Sequence, residues 1–375
     1  MILFWYGIVM CVGWIILLTY LLVNLAKIKQ LKDQPIATTE PYLAIIIAVR
    51  NEEEDVEKAL QSVCNINYQN HRIIVINDRS TDRTGEILSR FNHPKLSVIT
   101  IDNLPLGWLG KNNALYQGYK NSDEEWLLFT DADVEFHPDA ISRAFGYVEK
   151  HSLDHLSILP DVQSRSTLLN SVLATFTAML LLAVRPWDAR NPKRTGSIGV
   201  GAFNLVKRSA YEKASTHERI RLRPDDDLKL GQNIKNARLR QDALSGTGLV
   251  SLEWYKNLGQ FVRGLEKNAF AVVNYNFFRT IFDVLSCLIT VALPLPLMLI
   301  FGDTNVRLMA CLMLTGQFIY TSTIPPNKWW YALMIPFGGF LMAFIVLRSA
   351  VVTLKQGGIY WRNSFYSLAM LRDKE

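Results

Sequence analysis

No charged residue occurs from Met1 to Ala26, and the first positive charges follow at Lys27, Lys29 and Lys32. The run exceeds the roughly 20 apolar residues needed to span the hydrocarbon core of a bilayer. Its positive charge comes after the apolar stretch rather than before it, which predicts an uncleaved anchor whose C-terminal end faces the cytosol. Three further apolar stretches, Val284–Phe301, Leu308–Asn327 and Trp329–Leu347, fill the C-terminal third and are interrupted by Pro294, Pro296, Pro325 and Pro336. Three full crossings would carry Lys355, Arg362, Arg372 and Lys374 to the side opposite the middle of the chain, against the tendency of basic residues to stay cytosolic. Val284–Phe301, with its prolines, is therefore expected to be re-entrant or interfacial. A fifth stretch, Leu168–Trp187, is uncharged until Arg185 and reads equally as a helix resting on the bilayer or a buried core helix.

The middle of the chain has a different rhythm. Leu43–Val49, Arg72–Ile76, Leu96–Ile101 and Trp126–Phe129 are short apolar runs, as expected of strands covered on both faces. Amphipathic stretches at Glu53–Val63, Thr81–Phe91 and Pro138–Val148 follow the first, second and fourth runs. Such alternation predicts an α/β domain with a mixed, mostly parallel sheet, whose ligand crevice lies beyond the carboxyl ends of the strands.

Composition narrows the function classes. Of 375 residues 49% are hydrophobic and 20% charged, too apolar for disorder and too charged for a protein embedded throughout. The net charge of +6 suits juxtamembrane basic residues better than a nucleic-acid footprint, which needs basic clustering on one face. Cys11, Cys64, Cys287 and Cys311 show no paired spacing for zinc or a disulfide framework.

Acidic and basic residues gather just after the apolar runs: Arg50-Asn51-Glu52, then Asn77-Asp78-Arg79-Ser80-Thr81-Asp82, then Asp131-Ala132-Asp133. Singly, Asp78 or Ser80 would be read as a helix cap and Asp133 as a turn residue; together they mark one rim of the sheet. Mg²⁺ and Mn²⁺ take hard oxygen ligands, commonly one or two carboxylates plus substrate phosphate oxygens. In an extended Asp131-x-Asp133 step both carboxylates share one side, so one can ligate metal while the other meets a ribose. Gly107-Trp108-Leu109-Gly110-Lys111 permits close backbone approach and places Lys111 to meet a diphosphate, with a solvated surface turn as the plain alternative. Asn112 after Lys111 breaks the Walker A pattern, which removes the main support for an ATPase. Asp225-Asp226-Asp227 repel one another and predict at least one raised pKa, suited to a transient proton acceptor; an acidic helix N-terminus explains the same run.

These motifs, in this order, resemble the GT-A domain of glycosyltransferase family 2 over roughly Tyr42 to Lys267. They are most similar to its membrane-anchored lipid-modifying members of the ceramide, hopanoid-associated and carotenoid (diaponeurosporenoate) types. The resemblance implies a nucleotide-sugar donor, usually UDP-linked: Arg50, Glu52 and Asp78 on the nucleoside side, Lys111 near base or diphosphate, Asp131 on the ribose and Asp133 on a divalent cation, Mg²⁺ or Mn²⁺. Asp226-Asp227-Leu228-Lys229-Leu230-Gly231 resembles the family's Glu-Asp-x-x-Leu-Gly segment, which implies Asp227 as general base beside Asp226. Gln260-x-x-Arg263 keeps two residues of the polysaccharide synthases' Gln-x-x-Arg-Trp but has Gly264 for Trp, which argues against processive extension and leaves Arg263 as a diphosphate clamp or part of an interfacial basic helix. Gly199-Val200-Gly201 resembles the acceptor-side glycine segment, although a plain turn accounts for it equally. The tail Gly357-Gly358-Ile359-Tyr360-Trp361-Arg362-Asn363-Ser364-Phe365-Tyr366 resembles the family's Trp-(Arg/Lys)-Gly-x-x-Tyr tail, with Asn363 at the position of the Gly.

The expected organisation is an anchor at 1–26, a linker at 27–40, a cytosolic GT-A domain at 41–267, a membrane region at 268–350 and a basic-aromatic cytosolic tail at 351–375. The expected activity is one-step inverting transfer from a nucleotide-sugar to a lipid acceptor at the membrane, with no nucleic-acid partner. Two alternatives stay open: a polyprenyl-phosphate sugar synthase, and a non-catalytic subunit that binds sugar-lipids.

Overall fold

The computed structural model describes residues 1–361 and 364–372. The chain divides into two compact units. One comprises residues 28–162 and 184–254, the other 1–27, 163–183, 255–361 and 364–372.

The first unit is built on eleven strands: β1 (Lys29–Gln30), β2 (Leu43–Val49), β3 (His71–Asp78), β4 (Leu96–Ile101), β5 (Trp126–Asp131), β6 (Val134–Phe136), β7 (His155–Leu159), β8 (Asp161–Gln163), β9 (Asn204–Lys207), β10 (Gln241–Ser245) and β11 (Val250–Glu253). Eight of them form one sheet in the order β1-β10-β7-β9-β5-β2-β3-β4. All neighbours are parallel except that β9 runs antiparallel to β5 and β7. Continuous Val and Ile runs make the central strands because helices cover both faces: Ile45, Ile47 and Val75 point into one core, Ile46, Ile74 and Ile76 into the other. β4 departs from that expectation. It is the sheet's edge, and Val98 is exposed on it.

The helices of this unit are α2 (Val56–Cys64), α3 (Thr84–Arg90), α4 (Gly110–Lys120), α5 (Ala140–His151), α7 (Arg208–Lys213) and α8 (Asp226–Asn236). The other unit holds α1 (Ile2–Leu25), α6 (Thr167–Val184), α9 (Leu258–Val272), α10 (Phe277–Cys287), α11 (Pro294–Phe301), α12 (Thr304–Thr323), α13 (Ile335–Gln356), the hairpin β12 (Gly358–Trp361) and β13 (Ser364–Ser367), and α14 (Leu368–Arg372). Among the described residues, Ile2–Leu25, Thr167–Asp188 and Trp329–Gln356 are long and apolar enough to cross a membrane. The stretch expected to be re-entrant is a helix pair, Phe277–Ala292 and Pro294–Phe301, bent by 45° where Pro294 cannot continue the ladder. α12, which carries the expected span Leu308–Asn327 only as far as Thr323, is not in that set. Arg362, Asn363 and Lys374 of the tail lie outside the described residues.

Connectivity decides the behaviour of α6. β9, after it in the chain, hydrogen-bonds to β5 and β7, which precede it, and β10 pairs with β7. Both ends of α6 therefore lie on one side of any membrane, and α6 cannot cross as a single span despite its length and hydropathy. Within its own unit it is held by α12 and α13: Tyr320 donates to the Ala174 carbonyl at 3.3 Å, and Gly338 fits so closely that an added Cβ would sit 2.5 Å from Thr175 Oγ1.

Two histidines are sealed into the sheet unit as neutral rings. Burial pushes His155 down to about 4 and His217 to about 3. Their folded-state values lie below the unfolded value of about 6.5, so the unfolded chain takes up protons first as pH falls. Their stabilisation is complete above pH 6.5 and is lost on going toward pH 4, about 2 kcal/mol per ring by pH 5. In thermal unfolding, His155→Gln is expected to gain on wild type as pH falls from 7.5 to 5, because it lacks this penalty while every other group titrates alike in both.

Candidate active site

The polar ends of β2, β3 and β5 lie side by side, because β2 pairs with both of the others and Ala48 is in register with Ile76 and Asp131. The loops after β2 and β3 are stitched together. Thr81 N–H donates to Asn51 Oδ1 at 2.7 Å, Asn51 N–H to Ser80 Oγ at 3.1 Å and Glu52 N–H to Thr84 Oγ1 at 2.8 Å. Asp82, just ahead of α3, accepts from Thr84 N–H at 3.0 Å and Glu53 N–H at 3.2 Å, while the N-cap itself is Arg83 with no side-chain cap bond; neither Asp78 nor Ser80 caps the helix. Asp78 is buried against Arg79 and Arg50.

Asp131 closes β5, and Ala132-Asp133 form a turn into β6. The Asp-x-Asp step is thus bent, not the extended pair expected from the sequence. Lys111, in the first turn of α4, reaches Asp131 Oδ1 at 2.7 Å and lies 3.8 Å from Asp226 Oδ2. Burial alone would lower the Lys111 pKa; Asp131, Asp226 and Asp227 override it and hold the ammonium charged.

Asp226 and Asp227 open α8. Asp226 is buried, whereas Asp227 is partly open. Burial and neighbouring carboxylates push both carboxyl groups up, Lys111 opposing. Asp227 is fixed by two backbone donors, Gly201 N–H to Oδ2 at 2.9 Å and Leu228 N–H to Oδ1 at 2.8 Å. Gly201 also accepts from Asp131 N–H at 3.1 Å, so a single residue joins the Asp131 turn to Asp227. A Cβ on Gly201 would come 2.5 Å from Asp131 Oδ2, and one on Gly199 would come 1.8 Å from the Asp227 carbonyl oxygen. The glycine segment is a turn at Gly201-Ala202, and its glycines let that turn lie against both carboxylate elements.

No group of three or more His, Cys, Asp or Glu able to hold a metal occurs among the described residues. The charge balance nevertheless suits a cation. Burial, Asp131 and Glu52 push Asp133 up to about 7. Mg²⁺ is commonly held by one or two carboxylates plus substrate phosphate oxygens, and Asp133 fits the carboxylate part.

Arg263 stands on α9 in the apolar unit, where Asn257 and Gln260 cap the helix: Gln260 N–H donates to Asn257 Oδ1 and Lys256 N–H to Gln260 Oε1, both at 3.0 Å. A Cβ on Gly264 would fall 2.2 Å from the Tyr255 hydroxyl, so a side chain there would have to displace that ring. Sequence reasoning missed Asn112, whose Nδ2 donates to Ile220 and Arg223 carbonyls at 2.7 and 2.9 Å and ties the 217–223 loop to α4. It also missed Arg223, which forks onto Asp225 with two 2.8 Å bonds. The unusual Asn-Asn after Lys111 was the available signal.

Residues 44–214 match the family model Glycosyl transferase family 2. The chain is 25% identical over 242 residues to 4,4'-diaponeurosporenoate glycosyltransferase of Staphylococcus haemolyticus, covering 63% of each chain and hence less than two thirds of that relative's length. It is 29% identical over 176 residues to poly-beta-1,6-N-acetyl-D-glucosamine synthase of Staphylococcus epidermidis, 45% of this chain and 40% of that one. A solved mannosyltransferase from Pyrobaculum calidifontis, in complex with GDP-Man and Mn²⁺, aligns with a TM-score of 0.60 at 17% identity, over 94% of this chain and 99% of that chain.

Proposed function

We propose that this chain, which carries a glycosyl transferase family 2 domain in a GT-A fold, is a membrane-bound inverting glycosyltransferase that moves a sugar from a nucleoside diphosphate, UDP in type, to a lipid. The observation that carries the reading is the double use of Gly201. Its N–H holds the Asp227 carboxylate and its carbonyl holds the Asp131 backbone, so a proton acceptor and a donor-binding carboxylate share one rigid connection.

In the reaction the acceptor hydroxyl attacks the anomeric carbon and its proton passes to Asp227, while the bond to the nucleoside diphosphate breaks. Lys111 places its ammonium beside Asp131, where the diphosphate gathers negative charge. Asp131 faces the ribose. A divalent cation held by Asp133 and the diphosphate oxygens would supply further positive charge to the leaving group. Arg50 and Glu52 border the nucleoside, Asp226 positions Lys111, Arg263 is assigned to the diphosphate, and Gly199 and Gly201 to the acceptor side.

Apolar helices of spanning length and the diaponeurosporenoate-directed relative support a lipid acceptor, and the positive charges that follow the first apolar run support its presentation at the cytosolic leaflet of the cell membrane. Gly264 in place of the tryptophan of the Gln-x-x-Arg-Trp pattern supports single transfer over processive extension. Purified protein in lipid nanodiscs is expected to transfer label from UDP-sugar to extracted host lipid and to lose at least about 90% of that activity in excess chelator, in line with the several kcal/mol a bound cation contributes. Full activity in chelator would remove the metal role; absence of any transfer or donor hydrolysis would favour a sugar-lipid binding subunit.

A further inference from the structure

Two segments that leave apolar helices meet on the sheet unit. β1 begins at Lys29, four residues after α1 ends at Leu25, and residues 185–194 follow directly on α6. β1 is clamped there: it pairs with β10, and Arg143 Nη1 donates to the Lys32 and Gln34 carbonyls at 3.0 and 2.7 Å. Four residues of chain reach about 14 Å at most, so Lys29 stands within that distance of the end of a helix long and apolar enough to span a membrane. Lys29 Nζ lies 5.5 Å from the centre of the Tyr147 ring, and the Tyr147 hydroxyl donates to Asp242 Oδ2 at 2.8 Å. Arg190, from the second segment, approaches the same oxygen at 3.8 Å and donates to His151 Nδ1 at 3.1 Å. This short relay ties residues 185–194 to the corner that α1 tethers to the bilayer.

The corner is cationic. Residues 185–194 hold Arg185, Arg190, Lys193 and Arg194 against Asp188 alone. The carboxylates around it are engaged: Asp242 as above, Asp154 by the Arg240 N–H at 2.8 Å, and Glu149 by the Thr38 and Thr39 N–H groups at 3.3 and 3.1 Å. Lys150, Lys193 and Arg194 are exposed, and their charged groups have no partner among the described residues. Lys150 suits the C-terminal end of α5, but Lys193 and Arg194 face neither a helix end nor a carboxylate. Burial and the charges of Arg190, Lys29 and Lys150 hold the His151 pKa below its ordinary value, with Asp242 opposing, so cations from three elements act on one spot. The loop is also built: Lys235 Nζ on α8 donates to the Asp188, Ala189 and Asn191 carbonyls at 3.1, 2.5 and 2.7 Å, and Arg194 N–H to the Asn191 carbonyl at 3.1 Å.

We infer that Lys150, Lys193 and Arg194 dock the sheet unit on the anionic phospholipid headgroups of the bilayer surface. The negative potential of that surface attracts basic residues and fades within a Debye length, about 8 Å, so cations gain from it only when tethered nearby, as the α1 connection tethers these. Lys235 stands eight residues after Asp227 on α8, about 12 Å along the axis. Docking the loop therefore also sets the height of the proposed base above the lipid. The docking rests on α1 as a membrane anchor and not on sugar transfer.

Lysine acetylation of the full-length protein, in nanodiscs of phosphatidylcholine or of phosphatidylglycerol, tests it. Lys150 and Lys193 of wild type are expected to react at least about fivefold more slowly in phosphatidylglycerol, the factor expected of a basic residue at an anionic surface. Lys120, on α4 over β2 and β3 and so at least five strands from β1, should change less than about twofold. Arg194→Glu should bring the slowing at Lys150 and Lys193 below about twofold with wild-type melting, and Arg194→Gln should fall between. Equal reaction in the two bilayers, equal slowing at Lys120, or undiminished slowing in Arg194→Glu would overturn the inference. The same protection by free glycerol phosphate in phosphatidylcholine discs would overturn it too, marking a soluble-phosphate site instead. Transfer of label from donor to lipid, read on the same discs, reports on the enzyme reading separately, and its absence would leave the footprint standing.

Discussion

On the proposed reading, Asp227→Asn protein is expected to transfer sugar to a lipid hydroxyl about 10² to 10⁴ times more slowly than wild type, with UDP affinity within a few-fold, the span expected when a positioned general base is removed. The amide is isosteric and still offers an oxygen to Gly201 N–H, so the Gly201 connection survives and the loss reports on proton transfer. Initial rates with labelled donor, beside nucleotide titration, separate the two effects; near-wild-type transfer would end the assignment of Asp227. The same variant discriminates the rival acceptor class. A phosphate acceptor is already ionised and needs no base, so a polyprenyl-phosphate sugar synthase would keep most of its rate. Asp226→Asn differs in kind: Asp226 is buried beside Lys111, and its loss should weaken donor binding as well as turnover.

Gly199→Ala is expected to abolish activity by at least about a hundredfold without touching a reacting atom, because a misplacement of about 1 Å in a catalytic group costs that much. The new methyl would sit 1.8 Å from the Asp227 carbonyl oxygen, and the facing glycine, Gly231, has the Ile198 carbonyl oxygen 2.0 Å from its own Cβ position. The two backbones cross with no room for a side chain on either, so the 198–201 segment must lift from α8 and take the Gly201 N–H with it. Overpacking of this kind also costs roughly 1–3 kcal/mol of stability. Gly85→Ala in α3 serves as the control, since its nearest neighbour, Asn77 Nδ2, is 3.4 Å away. Equal activity of the two variants would show that the crossing does not position the base.

The central strands could be read directly because Leu43–Val49 and Trp126–Phe129 are buried on both faces and nothing polar interrupts them. Leu96–Ile101 reads the same way yet lies at the edge, since pairing order depends on distant chain that a local apolar run does not encode. At the site, the carboxylates were visible as residue types, and their gathering at one rim followed from strand polarity. What joins them was hidden: Gly201 works through its N–H and carbonyl, groups every residue but proline possesses, so only the path of the backbone reveals its role. Asp78 shows the opposite difficulty. Its acidity was legible, but its partner Arg79 looked like loop polarity until the two side chains were seen forked together. Leu168–Trp187 kept two readings open because hydropathy measures length and apolarity and takes no account of which strands flank the helix.

The interleaving of β9 and β10 with strands made before α6 also constrains how the chain is born. While residues up to about 200 leave the ribosome, β5 and β7 stand apart, because the strand that fills the gap between them has yet to be translated. During that interval a segment as long and apolar as a membrane span has already emerged, and were it to enter a bilayer it would have to return to the side it came from. Synthesis and membrane integration are thereby coupled: a nascent chain that committed α6 across the bilayer would strand β9 in the wrong compartment and could never close its sheet.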